Sequence, residues 1–311
     1  MSSIPASVQK KRRPPAKKLQ NRQQIGLLFI APWLIGFLAF QLYPFLSSLF
    51  YSFTDYTVIK SPVFVGLANY KRLFLSDPEF LRSLTITFQY ALFSVPAKLI
   101  FALFVAVVLN QKLKGINFYR TVYYLPSILG GSVAISVLWK LLFVRDGTIN
   151  RILMQLGLSR VDWLGPSMAL FTIGILQVWQ FGSSMVLFLA ALKQVPSELY
   201  EAARVDGASR VKVFFTMTLP MISSIIFFNL VMQTINALQN FTSAFVVTNG
   251  GPAKATYVLG MKLYVDAFNH FRMGYASAIS WVLFIIIFLF TMLIFKSSDA
   301  WVYYEDGGKS K

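Results

Sequence analysis

With 311 residues, 56% of them apolar and only 13% charged, the chain carries too much apolar surface for the core of one soluble domain, which leaves an integral membrane protein. It has no cysteine and a single histidine, His270. That excludes disulfides, Cys-ligated zinc, iron–sulfur clusters and His-cluster metal centres, so no metal site is expected. The net charge of +17 fits Lys and Arg gathered in the cytoplasmic loops of a membrane protein, not a nucleic-acid surface.

Residues 1–24 form a basic arm with Lys10, Lys11, Arg12, Arg13, Lys17, Lys18 and Arg22, no acid, and Pro14-Pro15 between them. Such an arm reads first as a setter of topology, with contact to anionic lipid as the alternative. The apolar run that follows is too long for the core of a secretory signal, so it reads as a retained first span. Six stretches reach the roughly 20 apolar residues that a bilayer requires: 25–46, 84–109, 121–143, 168–192, 219–241 and 275–295. Pro32, Pro44, Pro96 and the Gly130-Gly131 pair fall inside them, where neighbouring helices can re-satisfy the backbone. The expected architecture is an all-α membrane protein with six transmembrane helices: the arm, a transmembrane domain over 25–296, and a cytoplasmic tail over 297–311.

Charge asymmetry orients the chain. With both termini in the cytoplasm, seventeen Lys and Arg fall inside and ten outside, with six acids on each side. The excess of basic residues is then cytoplasmic, as the positive-inside rule requires. Lys98 and Lys140 lie within spans, where Lys140 snorkels and no transmembrane acid is available to pair Lys98. Of the outer segments, 54–83 carries a short interfacial helix near 67–75, and 144–167 and 242–274 are the others. His270, in the last of these, reads as an exposed surface residue.

Between the fourth and fifth spans lies Val195-Pro196-Ser197-Glu198-Leu199-Tyr200-Glu201-Ala202-Ala203-Arg204-Val205-Asp206-Gly207-Ala208-Ser209. Ser197 reads as an N-cap with Glu198 in the first turn, and Gly207 as a C-cap. A second helix over 208–217 leads to Leu219-Pro220 and back into the membrane. Two short helices at a right-angle turn present small residues and a few charges, a surface that another protein can approach closely.

Glu201-Ala202-Ala203, then Gly207, then Met217-x-Leu219-Pro220 resembles the EAA loop of permease subunits in binding-protein-dependent ABC importers, with Met217 where the family usually has Ile. Ala31-Pro32, Tyr43-Pro44, Phe64-Val65-Gly66-Leu67-Ala68-Asn69-Tyr70 and Thr248-Asn249-Gly250-Gly251-Pro252 extend the resemblance along nearly the whole chain, toward the carbohydrate branch that includes maltose, oligosaccharide and glycerol-phosphate permeases. The resemblance implies a type I importer permease fold in a bacterial or archaeal cell membrane. It implies a cytoplasmic coupling helix within 195–220, with Glu201, Ala202, Ala203, Asp206, Gly207, Leu219 and Pro220 engaging an ATPase. It also implies partners: a second permease subunit, usually a different chain, two ATPase subunits that carry ATP and Mg²⁺, and an extracytoplasmic sugar-binding protein. This chain would then be a non-catalytic transport subunit that holds no cofactor of its own.

In the fifth span Asn229, Gln233, Asn236 and Asn240 follow i, i+4, i+7, i+11, an amide stripe on one helical face. The fourth span adds Gln177, Trp179, Gln180, Ser183 and Ser184. Amides exchange hydrogen bonds with sugar hydroxyls and Trp packs on the apolar face of a sugar ring. Two readings stand side by side, a sugar path and interhelical glue. Gly308-Lys309-Ser310 echoes the end of a phosphate loop, but Tyr303 stands where its first Gly belongs. A membrane enzyme would need clustered intramembrane acids, and the spans contain none. An ion- or proton-coupled secondary carrier, the competing transport class, would need titratable groups along a path, and only two lysines are present.

Overall fold

The computed structural model describes residues 29–111 and 114–303; the basic arm and the Gly308-Lys309-Ser310 echo lie outside them. The first span is α1, Phe29–Ser52. Pro44 cannot donate to the carbonyl four residues back, and its ring would collide with it. The helix absorbs this through a π-helical turn at Leu38–Leu42, in which Tyr43 N–H reaches the Leu38 carbonyl. After α1 the chain turns into a two-stranded antiparallel hairpin, β1 Thr54–Thr57 and β2 Lys60–Phe64, with a register shift between Asp55 and Thr57. The all-α expectation did not include this hairpin. The short helix expected near 67–75 is α2, Ala68–Leu75.

The second span, α3 (Pro78–Leu109), is the axis of the fold. Its N-terminus is set by Asp77, whose carboxylate accepts from the Glu79 and Phe80 amides, with Pro78 in the first turn. Its 32 residues span about 48 Å at 1.5 Å per residue, longer than a bilayer core. Its buried face packs against the fourth and fifth spans.

The third, fourth and fifth spans are broken helices. α4 (Ile116–Leu129) gives way at Gly130-Gly131 to α5 (Val133–Phe143), which runs on to α6 (Thr148–Gln155), and the axis turns by 102°. The span expected over 121–143 is present but bent at the Gly130-Gly131 pair noted within it: Gly131 has φ +79°, open to glycine and strained for other residues, so the helix stops there. α7 (Ala169–Trp179) and α8 (Gly182–Gln194) meet at 44°. α9 (Ser197–Val205) lies in the connection that follows. α10 (Arg210–Met221) and α11 (Ser223–Leu238) meet at 67° about Ile222. A second π-helical turn, Phe214–Thr218, precedes Pro220, as the first precedes Pro44. α12 (Leu259–Tyr264) packs against α3 and the sixth span. α13 (Met273–Ser298) is the sixth span and packs on α1, β1 and α11. Counting each bent pair as one crossing gives six. Helix α13 passes the expected start of the tail at 297, and the chain then folds back over its end through Tyr303.

Candidate functional site

The 195–220 segment is built from its caps. Gly207, at φ +70°, donates its N–H to the Arg204 carbonyl at 3.1 Å while Ala208 N–H reaches Ala203 at 3.0 Å. This pair of bonds is a Schellman stop, which needs a left-handed residue at Gly207. At the other end Pro196 occupies the N-cap position, so Ser197 is the first helical residue and makes no capping bond, contrary to expectation. Ser209 does cap α10, accepting from Lys212 N–H at 3.3 Å. Tyr200 ties the two helices together by a 3.1 Å hydroxyl contact with Thr218.

Of the expected coupling residues, Glu201, Ala202, Asp206 and Gly207 are exposed on α9, and Ala203 is buried against the bundle. Val205 at 89%, Val211 at 68% and Phe215 at 61% exposure add apolar surface beside the carboxylates. Leu219 and Pro220 do not join this surface. They sit at the α10–α11 hinge and line an apolar cavity of about 380 Å³ under the loop. A larger cleft of about 650 Å³ opens behind α9, between Asn110, Tyr200, Arg204 and Phe214.

The polar residues of the fourth and fifth spans divide. Asn229 is buried and donates back to Ile225 of its own helix at 3.0 Å, a structural role. Gln233 is buried with its Oε1 unpartnered, and Asn240 is half-buried with its Nδ2 unpartnered. Asn240 Oδ1 accepts from Ser243 at 2.8 Å. Asn236 is exposed. On α7, Gln177 is half-buried, and Trp179 lies beside Trp139, ring centres 5.8 Å apart and tilted by 42°. Gln180 and Ser183 stand at the α7–α8 break. Ser127 of α4 donates its hydroxyl to the Gln180 carbonyl and accepts the Ser183 N–H, both at 2.9 Å. A Cβ at Gly130 would come within 2.6 Å of the Gln180 side chain. Two helix breaks are therefore in contact, and a serine bridges backbone groups that the α7–α8 break frees. Sequence reasoning missed Ser127; the signal was the Gly130-Gly131 pair, a turn signature inside an apolar run.

A second polar cluster, also missed, pins the end of the bundle near the hairpin. Lys262, 3% exposed, reaches Asp77 at 2.6 Å and Asp266 at 3.1 Å. Tyr275 donates to Asp77 at 2.5 Å, and Asp266 also meets His270 at 3.1 Å. His270, expected as a bland surface residue, is half-exposed but tied to a buried carboxylate. Burial alone would raise the Asp77 pKa, but the Lys262 and Tyr275 hydrogen bonds outweigh it and hold the carboxyl below 3.8. Lys98 is buried at 4% exposure, and no salt bridge to it is seen among the described residues.

Residues 75–304 match the family model described as binding-protein-dependent transport system inner membrane component. The "probable ABC transporter permease protein YesP" of Bacillus subtilis (strain 168) is 47% identical over 93% of this chain and 95% of its own length. The trehalose/maltose transport system permease protein MalF of Thermococcus litoralis is 36% identical over 90% and 95%. A crystal structure of a bacterial alginate ABC transporter, in complex with an alginate pentasaccharide-bound periplasmic protein, superposes with a TM-score of 0.79. It covers 91% of this chain and 96% of that one at 22% identity, which speaks to the fold. The apolar broken-helix bundle, the capped helix pair at 197–221 and these matches together make this chain a member of the family of inner-membrane components of binding-protein-dependent transport systems.

Proposed function

We propose that the chain is the membrane-spanning subunit of an importer for a sugar or oligosaccharide, driven by ATP hydrolysis on separate ATPase subunits. The observation that carries this reading is α9. It is a short helix ended by a Schellman stop, presenting Glu201, Ala202, Val205 and Asp206 to solvent at the end of the bundle opposite the outer hairpin. Two carboxylates beside small and apolar residues suit a basic-rimmed cleft on another protein. ATP and Mg²⁺ belong to that partner, and this chain supplies no catalytic group. Both termini lie in the cytoplasm, which places α9 inside and the β1–β2 hairpin outside. A second permease, a different chain, completes the pathway, and an extracytoplasmic binding protein docks on the outer segments near 54–83 and 242–274.

The relatives whose names specify a sugar support a sugar as cargo. Gln233 Oε1 and Asn240 Nδ2, buried without partners, are available to hydroxyls on a path that also includes Gln177, Trp179, Gln180, Ser183 and Asn236. Closure of the ATPases moves the coupling helices, and rocking of the bundles alternates access.

The deciding experiment is purification of the tagged chain in mild detergent from its native membrane, with identification of its companions, followed by sugar uptake in proteoliposomes. Recovery of an ATPase, with uptake that requires ATP and is abolished by Glu201→Lys, is the expected result. Gradient-driven uptake by the chain without an ATPase would overturn the reading in favour of a secondary carrier.

A further inference from the structure

The chain beyond α13 does not leave the bundle freely. Val302 N–H bonds back to Ser298 at 2.8 Å, and Trp301 packs on Phe227 of α11, ring centres 6.1 Å apart. Tyr303 then donates its backbone N–H to the Ser223 hydroxyl at 2.8 Å across 80 residues of sequence. Ser223 is the first residue of α11 and is 3% exposed. Ile222 holds the N-cap position and no side chain caps α11, so the Ser223 hydroxyl at the first helical position is free to receive the returning segment. Ile222, the residue about which α10 and α11 bend by 67°, is 1% exposed. The returning segment flanks it on both sides. Trp301 closes the apolar cavity against Leu219, Pro220 and Ile226, and Tyr303 closes a second, of about 170 Å³, against Met221, Ser224 and Val195.

We infer that residues 301–303 are a positioning clamp that sets the angle of the α10–α11 hinge and thereby the attitude of the coupling helix α9. The inference rests on the coupling role proposed for α9. α10 carries that role back into the membrane, because Tyr200 of α9 is hydrogen-bonded to Thr218 of α10. Two helices meeting at one buried residue, with a proline beside it, have no continuous backbone ladder to fix their angle. The Tyr303–Ser223 bond and the Trp301 indole supply the constraint that the ladder lacks. A clamped hinge passes movement of the coupling helix to α11, which bears Gln233 and Asn236. A loose hinge absorbs it.

The test uses the whole transporter, with its second permease, ATPases and binding protein, in proteoliposomes. Ser223→Ala removes the acceptor and Trp301→Ala the indole. The readouts are complex recovery, sugar imported per ATP hydrolysed, and amide exchange over residues 214–226. The expected result in both variants is unchanged recovery and ATPase activity, with sugar per ATP lowered. Exchange over 214–226 should rise about five-fold, as expected of one lost hydrogen bond. Unchanged sugar per ATP and unchanged exchange, or a loss that merely follows reduced complex recovery, would overturn the clamp. Glu201→Lys in the same membranes separates the two ideas. If Glu201→Lys leaves coupled import intact, the role of α9 fails; if it abolishes import while the clamp variants do nothing, only the clamp fails.

Discussion

Asp77 does three things with one carboxylate: it caps α3, neutralises Lys262 and accepts the Tyr275 hydroxyl. Asp77→Asn keeps an N-cap but loses the charge, and should cost about 2 kcal/mol at neutral pH, the range for hydrogen bonds to charged groups. The sign with pH follows from the depressed pKa. The stabilisation is present above the ordinary value of 3.8 and is lost as pH falls through the lower value of the folded state. Thermal unfolding of the wild type and the variant should therefore differ at pH 7 and converge in strong acid. Gly274 is a second exacting position, because a Cβ there would collide with the Thr54 carbonyl oxygen. Gly274→Ala should destabilise the outer face by about 1–3 kcal/mol, the usual cost of overpacking, read as a lowered melting temperature of the purified chain. Neither residue was legible as special from the sequence. Their roles arise from partners 198 residues away for Asp77 and on another element for Gly274, and periodicity reports only which face of a helix is apolar. The helix stop at Gly207 was legible, because a cap and the helix that it ends are adjacent in the chain.

Among the described elements, the interrupted ones depend most on single residues. α9 depends on the left-handed Gly207. Gly207→Leu should cost about 1 kcal/mol or more through the positive φ. It should also disorder the α9–α10 turn, measured as loss of ATP-driven uptake with the bundle still folded. The Gly130–Gln180 contact predicts that Gly130→Leu displaces the Gln180 side chain and lowers uptake without abolishing membrane insertion. The sequence showed where spans occur, because hydropathy sums over many residues, and it showed α2 and the 195–220 helix pair through their caps and turns. It did not show the bends. Hydropathy is insensitive to axis direction, and a Gly-Gly or Pro in an apolar run is compatible with either a straight or a broken helix until a neighbour supplies the missing backbone partners, as Ser127 does.

For the whole molecule, orientation is the property most open to direct measurement. Because the chain has no cysteine, single introduced thiols report cleanly. Ile59→Cys at the hairpin tip, 89% exposed in the wild type, should react with an impermeant maleimide in intact cells or spheroplasts. Val205→Cys should react only after the membrane is opened. The reverse pattern would invert the topology. The long-range ties also bear on how the protein is made. Trp281 bonds Ser48 across 233 positions, Tyr275 bonds Asp77 across 198, and Tyr303 bonds Ser223. Each joins an element synthesised earlier to the last span or to the segment just after it. Until that span enters the membrane, Asp77 and Ser48 wait without their final partners. The bundle therefore closes only once α13 has been made and inserted, and an insertion intermediate lacking α13 would expose unfinished polar groups to the membrane's quality-control proteases.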